Sequence, residues 1–173
     1  DVVGIDASAE VIAEARRDHP GVSFTTGDVY RMDFPDASFD IVHAHQLLQH
    51  LADPVAALKE MRRVTAPGGI VAVRDSDYGS FTWHPGDARL VRWLALYREI
   101  ARANRGDPDA GRHLLSWARQ AGFARIEASA SAWCFATPRD RGWWGTLWAD
   151  RLTSSAIAKQ AVREGRSTQE ELI

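Results

Sequence analysis

Val2-Val3-Gly4-Ile5-Asp6-Ala7-Ser8 decides how the rest of the chain is read. A short, continuous, β-branched run ending in an acid suits a strand buried on both faces of a parallel sheet. Ser8 offers an N-cap to a helix over about Ala9–His19, whose Val11, Ile12 and Ala15 share a face, and Pro20-Gly21 stops it. The pattern then repeats outward. Val22 to Thr26 is a second strand, ending at Gly27-Asp28, and Phe39 to Ala44 is a third. Gln46 to Leu51 forms a short helical turn, and Pro54 opens a helix through Val64 with Val55, Leu58 and Met61 at helical spacing. Ala66-Pro67-Gly68-Gly69 is a turn before a fourth strand, Ile70 to Val73. Strands alternating with helices in this order predict an α/β fold, a doubly wound, mostly parallel sheet with helices on both faces.

The second half changes rhythm. Tyr78 to Pro85 is an aromatic loop, followed by helices over about Asp87–Arg105 and Gly111–Gln120. Leu90, Trp93, Leu94 and Tyr97 form one stripe on the first of these, and Gly122 closes the second. Ile126 to Ala136 reads as an antiparallel strand pair, and Pro138 onward as helix. Thr168 and Glu171 have capping-box spacing. Because the first strand begins at residue 2 and the last capping box stands two residues from the end, the expectation is one domain over residues 1–173, lacking residues at one terminus or both, the N-terminus first.

Composition bounds the partners. A hydrophobic content of 45% with 25% charged residues fits a globular protein and excludes a disordered polar tract. No window holds the roughly 20 apolar residues of a membrane span, so no membrane partner is expected. A net charge of −2 gives no general attraction to nucleic acid, and none is expected as a partner. Residues 1–78 hold 7 basic and 13 acidic side chains, a net −6, whereas residues 79–173 hold 14 and 10, a net +4. The lone cysteine, Cys134, can make neither an internal disulfide nor a cysteine zinc site, which favours a reducing compartment. With a first apolar run too short for a secretory signal, a cytoplasmic protein is expected. Trp143, Trp144 and Trp148 read as a pocket lid, a core edge, or the surface of a homodimer.

Right-handed crossovers gather the carboxyl ends of parallel strands on one rim, where ligands of open sheets sit. That rim would hold Asp6, Asp28, His45 and Asp75. A carboxylate at Asp6 can accept two hydrogen bonds from a ribose diol. Asp28 can accept from an adenine amino group while the N–H of Val29 donates to a ring nitrogen. A strand-end aspartate is also a common helix cap or turn former. His43, His45 and His50 lack a clear third partner for zinc, so no metal is expected.

The order of motifs resembles a family. Val2-Val3-Gly4-Ile5-Asp6-Ala7-Ser8, Gly27-Asp28-Val29, Phe39-Asp40-Ile41-Val42, Leu48-Gln49-His50-Leu51-Ala52-Asp53-Pro54, Leu58-Lys59-Glu60-Met61-Arg62-Arg63-Val64 and Pro67-Gly68-Gly69 together look like a class I S-adenosylmethionine-dependent methyltransferase. The small-molecule type, similar to the ubiquinone and menaquinone biosynthesis methyltransferases, is the nearest. The resemblance is close over about residues 2–75 and holds beyond that only in layout. It implies a Rossmann-like fold, S-adenosylmethionine as cofactor and a small-molecule methyl acceptor.

Carried over position by position, the resemblance assigns Asp6, with Ala7 beside it, to the ribose hydroxyls. Asp28 and Val29 fall on adenine, and His45 and Gln46 on the methionine end. The family's glycine-rich loop is absent. In related nucleotide folds it precedes the ribose acid by ~20 residues, which falls before residue 1. Asp77, Tyr78 and Trp83 follow the last parallel strand and are the expected acceptor contacts, and His45 and Asp75 are conceivable bases. The alternatives are a nicotinamide-dependent oxidoreductase, which uses similar strand-end acids, and a non-catalytic methyltransferase-like binding protein. Against the oxidoreductase, Tyr30, Tyr78 and Tyr97 are followed four residues on by Phe34, Thr82 and Ala101, so no Tyr-x-x-x-Lys pair exists.

Overall fold

A computed structural model describes residues 1–172. The elements run, in chain order, β1 (Val3–Asp6), α1 (Ala9–Asp18), β2 (Ser23–Thr26), β3 (Phe39–His45), a 3₁₀ turn (Leu48–His50), α2 (Pro54–Val64) and β4 (Thr65–Arg74). After a 3₁₀ turn at Tyr78–Ser80 come α3 (Ala88–Ala103), a 3₁₀ turn (Ala110–His113), α4 (Leu114–Gln120), α5 (Pro138–Ser154), α6 (Ala156–Arg163) and a last 3₁₀ turn (Glu170–Leu172). They form two compact units. Asp1–Ser76 with Ala110–Ile126 make the first, and Asp77–Asp109 with the chain from Glu127 make the second.

The first unit carries the strands. β1 pairs in parallel with β2, Val3 opposite Ser23 through Asp6 opposite Thr26. β3 pairs in parallel with β4, Ile41 opposite Ile70 through His45 opposite Arg74. The expected α/β fold of parallel strands is present, but the single continuous sheet is not: among the described residues the ladders form two separate two-stranded sheets. The expected turn before the fourth strand lies inside β4 instead. Phe39 pairs with Thr65 and Ile41 with Ile70, so Asp40 faces the four residues Ala66–Gly69, a bulge that bends the strand without ending it. Gly68 holds φ +83, and a Cβ at Gly69 would meet the Asp40 carbonyl oxygen at 2.6 Å.

Local chemistry explains the helix ends. Ser8 Oγ accepts from the N–H of Val11 at 3.3 Å, and Asp53 Oδ1 accepts from that of Ala56 at 2.9 Å, with Pro54 in the first turn of α2. Ala57, Leu58, Met61 and Val64 recur at helical spacing and bury against Leu48, Ala44, Met32 and Ala121 to form the core of this unit.

In the second unit, Tyr78, Trp93, Tyr97 and Trp148 are buried together, flanked by Phe81 and Trp144. A neighbouring cluster of Leu96, Ile100, Ala158, Ala161 and Leu172 joins α3 to α6. The expected capping box closes reciprocally: the N–H of Thr168 donates to Glu171 Oε2 at 3.0 Å and that of Glu171 to Thr168 Oγ1 at 3.2 Å. The expected antiparallel pair over Ile126–Ala136 does not form, and the segment has no strand. Its alternating alanines and serines offer little side chain to bury across a ladder, and β-propensity depends on such packing. Phe135 stacks on Trp143 instead, at 6.0 Å between ring centroids. Among the described residues no helix is long and apolar enough to cross a membrane.

Candidate functional site

The parallel ladders bring polar residues to the carboxyl ends of the strands. Asp6 closes β1 opposite Thr26, and the N–H of Gly27 continues the ladder by donating to the Asp6 carbonyl at 3.0 Å. Asp28 therefore lies two residues beyond the end of the strand that pairs with Asp6. Both acids take the same local pose. Asp6 Oδ1 accepts from the N–H of Ser8 at 2.8 Å, and Asp28 Oδ1 from that of Tyr30 at 2.9 Å. These are aspartate turns that lock each carboxylate to its own backbone. The second oxygen of each has no protein donor among the described residues, and both residues are exposed. The side chain of Val29 packs on the core while its N–H meets no acceptor among the described residues.

On the second sheet, His45 ends β3 and is exposed, and Gln46 follows with φ +54, a left-handed conformation seldom held by glutamine. The N–H of Gln46 donates to the Arg74 carbonyl at 2.7 Å, so the loop after β3 stays stitched to β4. Gln46 Oε1 accepts from Gln49 Nε2 at 3.2 Å. Asp75, one residue past β4, accepts on Oδ1 from the N–H of Gln49 at 3.0 Å and also bonds the N–H of Leu48, capping the 3₁₀ turn. Burial lifts its pKa from 3.8 to about 6, against the lowering effect of those two backbone bonds. Desolvation of its ring also lowers the pKa of His50, although the residue as a whole is exposed.

Asp6, Ala7, Asp28, Val29, His45 and Gln46, the residues expected at the cofactor, all lie in the first unit, at or just past strand ends. Asp77, Tyr78 and Trp83, the expected acceptor contacts, belong to the second. Tyr78 is only 6% exposed and packs on Tyr97 at 4.3 Å and Phe81 at 5.2 Å between centroids. Burial raises the pKa of both the Tyr78 and the Tyr97 hydroxyl. Asp77 and Trp83 are half-buried. Of the three tryptophans read as lid, core edge or dimer surface, Trp148 is buried, Trp144 half-buried and Trp143 57% exposed. Sequence reasoning did not find Gln49, which is 3% exposed. The signal was an amide directly after two leucines in the run Leu47-Leu48-Gln49-His50-Leu51.

The unmatched groups at the first sheet suit adenosine. A free oxygen at Asp6 suits ribose hydroxyl donors, one at Asp28 suits an amino donor, and the Val29 N–H suits a ring-nitrogen acceptor. Residues 1–73 match the methyltransferase domain family. The chain is 38% identical over 170 residues to an uncharacterised methyltransferase of Schizosaccharomyces pombe, covering 90% of this chain and 60% of that protein. With a demethylmenaquinone methyltransferase of Beutenbergia cavernae it shares 31% identity over 169 residues, covering 95% of this chain and 65% of the relative. The chain thus spans less than two-thirds of the length of either relative. A solved structure from Thermotoga maritima, described as a SAM-dependent methyltransferase and possible histamine N-methyltransferase, superposes with TM-score 0.56 at 26% identity, covering 70% of this chain and 55% of that one. The parallel strands, the family matched over residues 1–73 and these relatives together support a class I S-adenosylmethionine-dependent methyltransferase.

Proposed function

We propose that this chain takes part in methyl transfer from S-adenosylmethionine to a small-molecule acceptor, with the donor's nucleoside held at the ends of β1 and β2. One observation carries the reading. Asp6 ends β1 and Asp28 stands two residues past the end of its partner strand β2, each fixed through Oδ1 and, among the described residues, each with the other oxygen unused, beside an N–H on Val29 without an acceptor. Asp6 holds the ribose hydroxyls, with the backbone of Ala7 alongside. Asp28 accepts from the adenine amino group, and Val29 donates to the ring. His45 and Gln46 line the methionine end. S-adenosylmethionine supplies, when bound, a sulfonium methyl already activated for displacement.

The chain's own residues then have mainly to orient and to exclude water, which is worth up to ~7–11 kcal/mol in well-organised cases. The turns that pre-set both carboxylates cut the ordering cost of binding. Strand-end acids alone also suit a nicotinamide dinucleotide, so the discriminating experiment compares the two. Calorimetry is expected to show micromolar binding of S-adenosylhomocysteine and none of the dinucleotide. The opposite pattern would overturn the proposal.

A further inference from the structure

Asp75 and Gln49 leave two hydrogen-bond acceptors unmet inside the first unit. Asp75 Oδ1 accepts from the Gln49 N–H, but Oδ2 is buried and has no donor. Gln49 spends Nε2 on Gln46 Oε1 and contacts His50 Nε2 at 3.3 Å, whereas its own Oε1 is buried and has no donor. The two residues are tied through the 3.0 Å bond from the Gln49 N–H to Asp75. A buried acceptor left unpaired costs about 1–3 kcal/mol, and more if it is charged. Among the described residues no arginine or lysine bonds Asp75. The charged or titratable neighbours on the packed elements are His45 and Arg74 at the strand ends, His50 on the 3₁₀ turn, and Arg112 and His113 on the turn at Ala110–His113, and none shifts Asp75.

We propose that Asp75 Oδ2 and Gln49 Oε1 form a subsite for a primary ammonium group, which brings several N–H donors together with a compensating positive charge. A neutral hydroxyl has a single hydrogen and would leave one acceptor unmet. An ammonium carries three and can serve both oxygens while cancelling the carboxylate's charge, the condition under which burying a charge is tolerated. Gln46 sits where the subsite meets the cofactor rim: its side chain bonds Gln49, and its left-handed backbone follows His45 directly. The subsite rests on the proposed methyl-transfer function, because two molecules in that reaction can carry such a group. They are the amino-acid end of the donor, and a methyl acceptor that is a primary amine.

The test is equilibrium binding to the folded protein with three probes. S-adenosylhomocysteine carries the ammonium, 5′-methylthioadenosine is the same nucleoside thioether without it, and 2-phenylethylamine is a free primary amine. Asp75→Asn puts an amide donor where the carboxylate stood, and Gln49→Leu removes the second acceptor at similar volume. If the group belongs to the donor, each variant weakens S-adenosylhomocysteine about tenfold or more and leaves 5′-methylthioadenosine unchanged. If it belongs to the acceptor, both nucleosides are unaffected and 2-phenylethylamine binding is lost. In wild type the responsive probe binds about tenfold more tightly at pH 7 than at pH 5, since Asp75 ionises at about 6. Asp75→Asn abolishes that pH dependence. The wild-type pH series needs no variant, so it decides even if one fails to fold. Variants and pH that move neither S-adenosylhomocysteine nor 2-phenylethylamine overturn the subsite. Failure of wild type to bind either nucleoside sinks the methyl-transfer reading instead, and the amine arm still judges the subsite.

Discussion

The two units solve opposite problems with opposite residues. In the first, polar groups stand at strand ends with part of their bonding capacity unused: Asp6, Asp28, the Val29 N–H, Asp75 and Gln49. In the second, Tyr78, Phe81, Trp93, Tyr97, Trp144 and Trp148 pack on one another, with edge-on or tilted ring contacts such as Trp93 to Trp148 at 4.7 Å, and the one buried polar atom among these rings without a partner is Trp93 Nε1. Unspent hydrogen-bonding capacity at an ordered backbone is a feature of a binding site. Mutually packed rings are a feature of a core. Large aromatics in a sequence suggest a ligand wall, but here most of them hold a unit together.

If that contrast is right, the largest stability effects belong to the second unit. Trp148→Ala is expected to cost about 3–5 kcal/mol in a denaturant titration, as large-to-small changes of buried aromatics do. A loss below 1 kcal/mol would mean that the rings are not a core. Asp109, 5% exposed, is the exception within that unit. Burial alone would raise its pKa, yet the hydrogen bond from Arg98 with the charges of Arg98 and Arg102 holds it low. Asp109→Ala should cost about 2–3 kcal/mol, less than a wholly buried pair, because 31% of the Arg98 and 52% of the Arg102 side chain remain in solvent. A carboxyl with a lowered folded pKa stabilises above its unfolded pKa, so this contribution should fade as the pH drops through the acid range.

Asp75 runs the other way. Its folded pKa, about 6, lies above the ordinary 3.8, so the folded state keeps the proton longer and stability falls as pH rises from 3.8 through 6. The slope should amount to about 1–2 kcal/mol, reduced by partial exposure, and should vanish in Asp75→Asn when both proteins are unfolded at pH 4 and pH 7. Identical pH profiles would contradict the burial of that carboxyl. The smallest effect is expected at the chain's end. Thr168→Ala should cost about 1 kcal/mol by removing half of the reciprocal cap with Glu171.

Where one strong local signal dominated, the sequence was legible. Pro54 and the spacing of Val55, Leu58 and Met61 yield α2 with its bounds as observed, because first-turn proline and apolar period agree. Thr168 and Glu171 likewise form the cap their spacing announces. Legibility ended where pairing partners decide. Ile126–Ala136 alternates like a strand but finds no ladder, and Pro67-Gly68-Gly69 reads as a break yet is carried within β4 as a bulge against Asp40. At the site, strand ends fixed where Asp6 and Asp28 fall. The unmet oxygens of Asp75 and Gln49 were not legible, since an unpaired atom is defined by every neighbour around it.

The central claim is that Asp6 and Asp28 grip one nucleoside. Calorimetric titration of S-adenosylhomocysteine into wild type, Asp6→Ala and Asp28→Ala tests it most directly. The account predicts affinity weakened about tenfold or more in each variant, in line with ~1.5–3 kcal/mol for hydrogen bonds to a charged group, with the fold intact. Wild-type affinity in either variant would contradict it.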